Sequence, residues 1–248
     1  MIRLEGIAKS FGTNRVLAGL DLHVGEGESL AVIGGSGSGK SVLVKCVLGL
    51  IRHDAGRILI EGAELTRAGR AAFLARCGVL FQGGALFDSL PVWQNVAFRF
   101  LRGPAALPRD EARRHAIARL ERVGLGEDVA DRLPAELSGG MQKRVGLARA
   151  IAADPELIFF DEPTAGLDPI MSGIINELIR SIVTETGATA ITITHDMRSV
   201  RGIADRVALL HEGVIRWTGS VAEMEETSDR YVSQFIHGRA EGPIRTLR

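Results

Sequence analysis

The 248-residue chain is 46% hydrophobic and 24% charged, and its 30 basic residues are matched by 30 acidic ones for a formal net charge of zero. That composition suits a globular protein long enough to bury a sizeable core, and it excludes a disordered chain or one drawn to nucleic acid or anionic lipid by bulk charge. No apolar run approaches the roughly eighteen residues of a membrane span. Met1-Ile2-Arg3-Leu4-Glu5 is not a signal peptide, and two cysteines, Cys46 and Cys77, make neither a disulfide framework nor a metal site. The reduced cytosol is the expected compartment.

In chain order, strand-like alternation opens at Ile2-Arg3-Leu4 and at Val16–Leu22, with a turn at Gly25-Glu26-Gly27. Ser29-Leu30-Ala31-Val32-Ile33 reads as a short buried strand, and Val42–Leu48 as a helix ending near Gly49. Between them lies Gly34-Gly35-Ser36-Gly37-Ser38-Gly39-Lys40-Ser41, the phosphate-binding pattern G-x-x-x-x-G-K-[ST]. Glycines let successive N–H groups point into one concavity, and the helix N-terminus adds partial positive charge. Lys40 is then placed for the β- and γ-phosphates and the Ser41 hydroxyl for Mg²⁺. A Gly/Ser-rich turn that merely ends in Lys-Ser would give no reason for a strand and a helix to flank it in register. The chain is expected to bind a nucleoside triphosphate.

Gly56–Gly62 is a further strand closing on a turn, and Gly78-Val79-Leu80-Phe81-Gln82 a short apolar strand with a polar end. From Gly83 to about Ala153 the character changes: Pro91, Gly103, Pro104 and Pro108 interrupt it, and charged helical sequence follows from Arg109. This stretch reads as a helical lobe inserted between core strands. Strand character returns at Leu157–Phe160, after the breaker Asp154-Pro155. Ile170, Ile174, Leu178, Ile182 and Ile175, Ile179, Val183 recur at helical spacing, with Gly187 as a C-terminal cap. Ala188–Thr194 is a strand, and Val207–Leu210 with Val214–Trp217 forms a hairpin around Glu212-Gly213. Strands alternating with helices predict an α/β fold with a largely parallel sheet and ligands at its carboxyl edge.

Asp161-Glu162 stands at the end of an apolar strand, a Walker-B arrangement in which Asp161 would hold Mg²⁺ and Glu162 would orient and deprotonate the attacking water. Gln82 and His195 also end strands, which puts both at the phosphate edge. In Leu137-Ser138-Gly139-Gly140-Met141, Ser138 reads as an N-cap, so Ser-Gly-Gly opens a second anion-attracting helix. Two such sites for one ligand are reconciled when two chains face head to tail, each closing the other's nucleotide.

The phosphate loop, Gln82, Leu137–Gly140, Asp161-Glu162, Ala165-Gly166-Leu167-Asp168 and His195 resemble, in content and order, the ATP-binding-cassette ATPases, over residues 1–226. The resemblance implies a P-loop NTPase fold with a RecA-like core (1–82 and 154–226), an N-terminal antiparallel part and a helical lobe (83–153). It also implies ATP and Mg²⁺ as ligands and a sandwich dimer in which Ser138, Gly139 and Gly140 of one copy cover the γ-phosphate on Lys40 of the other. By the same resemblance Phe11 stacks on adenine with Val16 beside it, Gln82 couples the Mg²⁺ site to the lobe, Asp168 bridges the copies and His195 contacts the γ-phosphate. Met141 departs from the Gln common in the family, at a peripheral contact.

Gly83–Phe98 and the tail Gln234–Ile244 further resemble the ATPase of Mla-type phospholipid transporters. That implies integral membrane permease chains, an MCE-domain lipid-binding protein and a small STAS-domain protein as partners, no nucleic acid, and a place at the cytoplasmic face of a bacterial inner membrane, reached through the permease. A soluble-substrate importer ATPase and a signalling ATPase of cell-division type share the same catalytic motifs and stay open. Residues 227–248 read as a short helix with Tyr231, Val232, Phe235 and Ile236 on one stripe, then an extended tail that folds back or reaches across to a second copy.

Overall fold

The computed structural model describes residues 1–102 and 106–244. Its elements run β1 (Ile2–Phe11), β2 (Asn14–Val24), β3 (Ser29–Ile33), α1 (Lys40–Val47), β4 (Ala55–Ile60), β5 (Ala63–Glu64), α2 (Arg70–Ala75), β6 (Cys77–Leu80), α3 (Val92–Val96) and α4 (Arg109–Arg122). They continue with α5 (Gly139–Ala150), β7 (Leu157–Asp161), α6 (Pro169–Thr186), β8 (Thr189–Ile193), α7 (Met197–Ile203), β9 (Arg206–His211), β10 (Val214–Ser220), α8 (Val221–Glu226) and α9 (Arg230–Ile236). Two compact units result, one of Met1–Ala71 with Ile191–Arg248 and one of Ala72–Ala190.

In the first unit an antiparallel sheet of order β2-β1-β4-β5 carries the N-terminal part. β1 is far longer than Ile2-Arg3-Leu4, because it pairs on both sides and its alternation is broken by register shifts after Leu4, Ile7 and Lys9. Between Lys9↔Leu17 and Ser10↔Arg15 the shift leaves Val16 as the extra residue of a bulge. β3 pairs in parallel with β9, which forms the foreseen hairpin with β10.

α9 belongs to this unit's core. Val232 is fully buried with Ala31 and Ile33 of β3, Val207 and Leu209 of β9, and Met224 of α8, while Tyr231, Phe235 and Ile236 pack against that cluster. Of the two courses read for residues 227–248, the helix takes the one back onto its own subunit, packing against β3, the strand that feeds the phosphate loop. After it the chain folds back on itself. The buried Gln234 amide donates to Arg239 O (3.2 Å) and Ile244 O (3.0 Å), and its oxygen accepts from the Ile244 N–H (2.7 Å). The foreseen extended run to Arg248 falls, past Ile244, outside the described residues.

In the second unit β6 and β7 are parallel, with Leu80 opposite Phe160. α5 lies close on β6: a Cβ at Gly146 would stand 2.7 Å from the Leu80 side chain. β6, β7 and α6 group in this unit with the helices of residues 83–153. α6 starts at an Asp168 cap with Pro169 in its first turn and ends at Gly187, the stop its pattern predicts. Ile170, assigned to its apolar stripe, is 77% exposed, whereas Ile175, Ile179, Ile182 and Val183 are buried. Among the described residues no helix is long and apolar enough to cross a membrane.

Because Val232 fills a closed core, Val232→Ala should lower stability by about 2 kcal/mol, and truncation after Ser228 should unfold the subunit well below the wild-type Tm. Thermal unfolding of the purified variants checks this; a truncated chain with wild-type Tm would make α9 an appendage.

Candidate functional site

All five residues of β3 are buried, so the strand is held from both faces before it releases the chain at Gly34. Gly34 lies so near β9 that any Cβ there would collide with the Leu210 carbonyl oxygen. Gly39, at φ 104°, caps α1 in the left-handed region, and a Cβ on it would press on the Val16 carbonyl and side chain at 3.1 Å. Between these two points Gly35, Ser36 and Gly37 are exposed and Ser38 is half-buried, as is Ser41 just beyond, and the Ser38 N–H closes a turn on Gly35 O at 3.2 Å. Lys40 is buried, with its ammonium donating to Gly34 O (2.7 Å) and Gly35 O (3.0 Å). The cation is thus pre-placed over the open crown of the loop, where an entering anion meets it together with the N-terminus of α1.

The same unit brings three other predicted residues to this loop's surroundings. Phe11, 48% exposed, ends β1, and the bulged Val16 touches Gly39. His195 is exposed and follows Thr194, whose N–H donates to Val32 O in β3 at 3.3 Å, so it emerges at the carboxyl end of that strand. Next to it Asp196 caps α7, accepting from the Arg198 N–H (2.9 Å) and the Ser199 hydroxyl (2.8 Å).

The second unit gathers the remaining predicted residues. Since β6 and β7 are parallel and in register, Gln82 and Asp161 leave at the same end, Gln82 exposed and Asp161 buried. Glu162 follows at φ 48°, a strained conformation for a residue with a Cβ. Ser138 caps α5, its hydroxyl accepting from the Met141 N–H at 3.3 Å, and Ser138 and Gly139 face solvent. The Gln142 amide donates to Pro134 O (2.9 Å) and Leu137 O (3.3 Å), which fixes the approach to that helix. Asp168, foreseen as a bridge between copies, uses Oδ1 to accept from the Ile170 and Met171 N–H groups at 2.9 and 3.0 Å.

One residue escaped the sequence reading. Lys143 is 4% exposed on α5, and its ammonium donates to the Glu162 carbonyl at 3.3 Å. Burial lowers its pKa, while the Asp161 and Glu162 carboxylates act to raise it. A buried cation therefore holds the backbone at the strained position, beside two anions. Its place four residues after Gly139 on a helix that packs against β6 was the only signal, and a Lys in a Lys/Arg-containing helix gave no reason to single it out.

The arrangement offers an anion-binding loop with a poised cation, a carboxylate pair at a strand end and an exposed capped helix terminus. A family model described as ABC transporter matches residues 17–165. The chain is 37% identical over 246 residues to the probable ribonucleotide transport ATP-binding protein mkl of Mycobacterium leprae, covering 98% of this chain and 70% of that one. It is 36% identical over 248 residues to the intermembrane phospholipid transport system ATP-binding protein MlaF of Haemophilus influenzae, covering 99% of this chain and 93% of that one. Among solved structures, the dimeric ATP-binding cassette MJ0796 in a post-hydrolysis state bound to ADP and Pi superposes with a TM-score of 0.80 at 29% identity, covering 89% of this chain and 99% of that one.

Lys143→Met should lower the ATP hydrolysis rate about tenfold, the worth of one charge-assisted hydrogen bond, with ATP affinity within about twofold and partial recovery in Lys143→Arg. Steady-state hydrolysis beside calorimetric ATP titration separates the two quantities.

Proposed function

This chain belongs to the ABC transporter family, whose members couple ATP hydrolysis to transport, and we propose that it is the ATP-hydrolysing subunit of a system that moves phospholipid between membranes. The observation that carries the substrate class is the match in length: the similarity to the Haemophilus MlaF runs over 93% of that protein, against 70% of the mycobacterial one. The name of the mycobacterial relative supports a second reading, transport of a ribonucleotide.

In the proposed reaction Lys40 and the glycines of Gly34–Ser41 hold the phosphates. Glu162 orients a water and takes its proton as the oxygen attacks the γ-phosphorus; the bond to the bridging oxygen breaks and ADP leaves. His195 contacts the γ-phosphate, and Phe11 and Val16 receive the base. Mg²⁺ would be held by the Ser41 hydroxyl and the Asp161 carboxylate, with Gln82 beside it, and would supply neutralising charge to the phosphates. These donors are all hard oxygens, which suits that ion.

A second copy, facing head to tail, brings Ser138, Gly139 and Gly140 over the γ-phosphate, with Asp168 at the seam. The exposure of Ser138 and Gly139 at the start of α5 supports this. Integral membrane permease chains hold the pair at the cytoplasmic face of a bacterial inner membrane, with an MCE-domain lipid-binding protein and a small STAS-domain protein completing the complex. Docking on the permease falls to the loop after Gln82, where Phe87 is 42% exposed. That loop is rigid. Buried Asn95 accepts from the Phe87 N–H (2.7 Å) and donates to Phe87 O (3.1 Å) and Leu90 O (2.9 Å), and Arg149 donates to Gly84 O (2.6 Å) and Ala85 O (2.8 Å).

Two experiments test the reading. Glu162→Gln should bind ATP normally and hydrolyse it at least about a hundredfold more slowly, and Ser138→Arg should abolish hydrolysis in the assembled pair while a single subunit keeps its ATP affinity. For the substrate, the complex purified from its native membrane and placed in vesicles should move fluorescent phospholipid only with ATP; ATP-driven ribonucleotide uptake without lipid movement would sink the lipid assignment.

A further inference from the structure

The end of β1 carries a cluster that phosphate binding does not account for. Lys9 and Phe11 both lie among the last residues of β1, and the Lys9 ammonium stands 5.3 Å from the centroid of the Phe11 ring. That ammonium also pairs with Asp54 Oδ1 at 2.7 Å, Asp54 being in the turn before β4. The second carboxylate oxygen accepts from the Ser10 N–H at 2.7 Å, and the Asp54 N–H donates to Ala8 O at 2.8 Å. These bonds hold the Asp54 carboxyl below its ordinary pKa, the Lys9 contact first and the Ser10 N–H second.

An exposed ion pair adds little to stability, so the value of this one lies in what it orients. The Lys9 side chain is only 15% exposed, an unusual confinement for a lysine, while Phe11 stays 48% exposed. A cation set against an aromatic ring is drawn to its negative face and fixes the ring's orientation. The same hairpin bears Val16 against Gly39 of the phosphate loop, and Phe11 pairs with Asn14, two residues before Val16.

We propose that Lys9 and Asp54 are positioning residues that clamp the Phe11 ring as a platform for the nucleotide's base, setting the share of ATP affinity that comes from adenine. The proposal rests on the reading of Phe11 as the base-stacking residue. It predicts a selective effect. Removing the clamp weakens recognition of the base and leaves recognition of the phosphates alone.

The test is calorimetric titration of the full chain with ATP and with inorganic tripolyphosphate, each with Mg²⁺. Phe11→Ala should weaken ATP about tenfold, the usual worth of one base stacked on an aromatic side chain. Lys9→Met and Asp54→Asn should each weaken ATP roughly threefold to fivefold, as expected for loss of a partly exposed cation–π contact, and Lys9→Arg should restore most of it. None should change tripolyphosphate binding, and Lys9→Met should add nothing to Phe11→Ala. If Phe11→Ala weakens ATP while Lys9→Met and Asp54→Asn do not, stacking stands and the clamp is overturned. If Phe11→Ala itself leaves ATP affinity at the wild-type value, the base-stacking reading fails and takes the clamp with it. Equal losses for ATP and tripolyphosphate in the clamp variants also overturn it, since they trace to the phosphate loop.

Discussion

The hold of the Lys40 ammonium on the carbonyls of Gly34 and Gly35 depends on a turn whose two ends, Gly34 and Gly39, leave no free room for a Cβ. β9 presses the Leu210 carbonyl against Gly34 from one side, and β2 presses Val16 against Gly39 from another. The tip of the β9–β10 hairpin fastens β2 in turn, Gly213 O accepting from the Ala18 N–H at 2.9 Å. A loop made of exposed glycines would be mobile if left to itself; here its two ends are pinned by backbone, and only the crown stays open. The core under β3, closed by α9, is therefore part of the phosphate site's rigidity as well as of stability.

The second unit solves a different problem with the same economy. Its chemistry requires negative charge at the end of β7 and an anion-attracting helix start on α5, and α5 serves both. The N-terminus is open and capped by Ser138, while one turn further on Lys143 turns inward to the Glu162 carbonyl. One helix thus presents its dipole outward and a cation inward. Close packing of Gly146 on Leu80 sets its distance from β6.

Much of this was legible in the sequence because the decisive signals are local. The phosphate loop, the hairpin around Glu212-Gly213, the Ser138 cap and the Gly187 stop each depend on residues within a turn of one another. What was missed depends on distant neighbours. β1 was cut short because its bulges scramble the two-residue period, and pairing with β4 and β2 is what keeps it a strand. Ile170 fitted a helical stripe by spacing but lies in the first turn, beyond the reach of the core. α8 has a capping box, Ser220 with Glu223, that the pattern reading passed over. The burial of Lys143 and the contact of Lys9 with Asp54 join residues 19 and 45 positions apart, which no local rule detects.

The catalytic motifs are shared by every transporter ATPase of this family, so none of them distinguishes a lipid from a soluble substrate. A subunit that meets only nucleotide and partner chains is selective through the shape of its docking surface. The loop proposed for that surface has three consecutive residues at positive φ, Gly83, Gly84 and Ala85, and by its dihedrals alone it would be pliable. Asn95 and Arg149 remove that freedom by bonding its carbonyls, and Phe87 stacks on Phe98 at 4.4 Å with its residue still partly open. Arg149 lies on α5, ten residues after Gly139, so the helix that starts at the anion-attracting end also grips the loop at the other. In the proposed sandwich, a shift of α5 on engaging a phosphate would carry Gly84 and Ala85 with it through Arg149. In the proposed complex this helix is the mechanical link from ATP to the permease, and substrate choice is left to the chains that the loop moves.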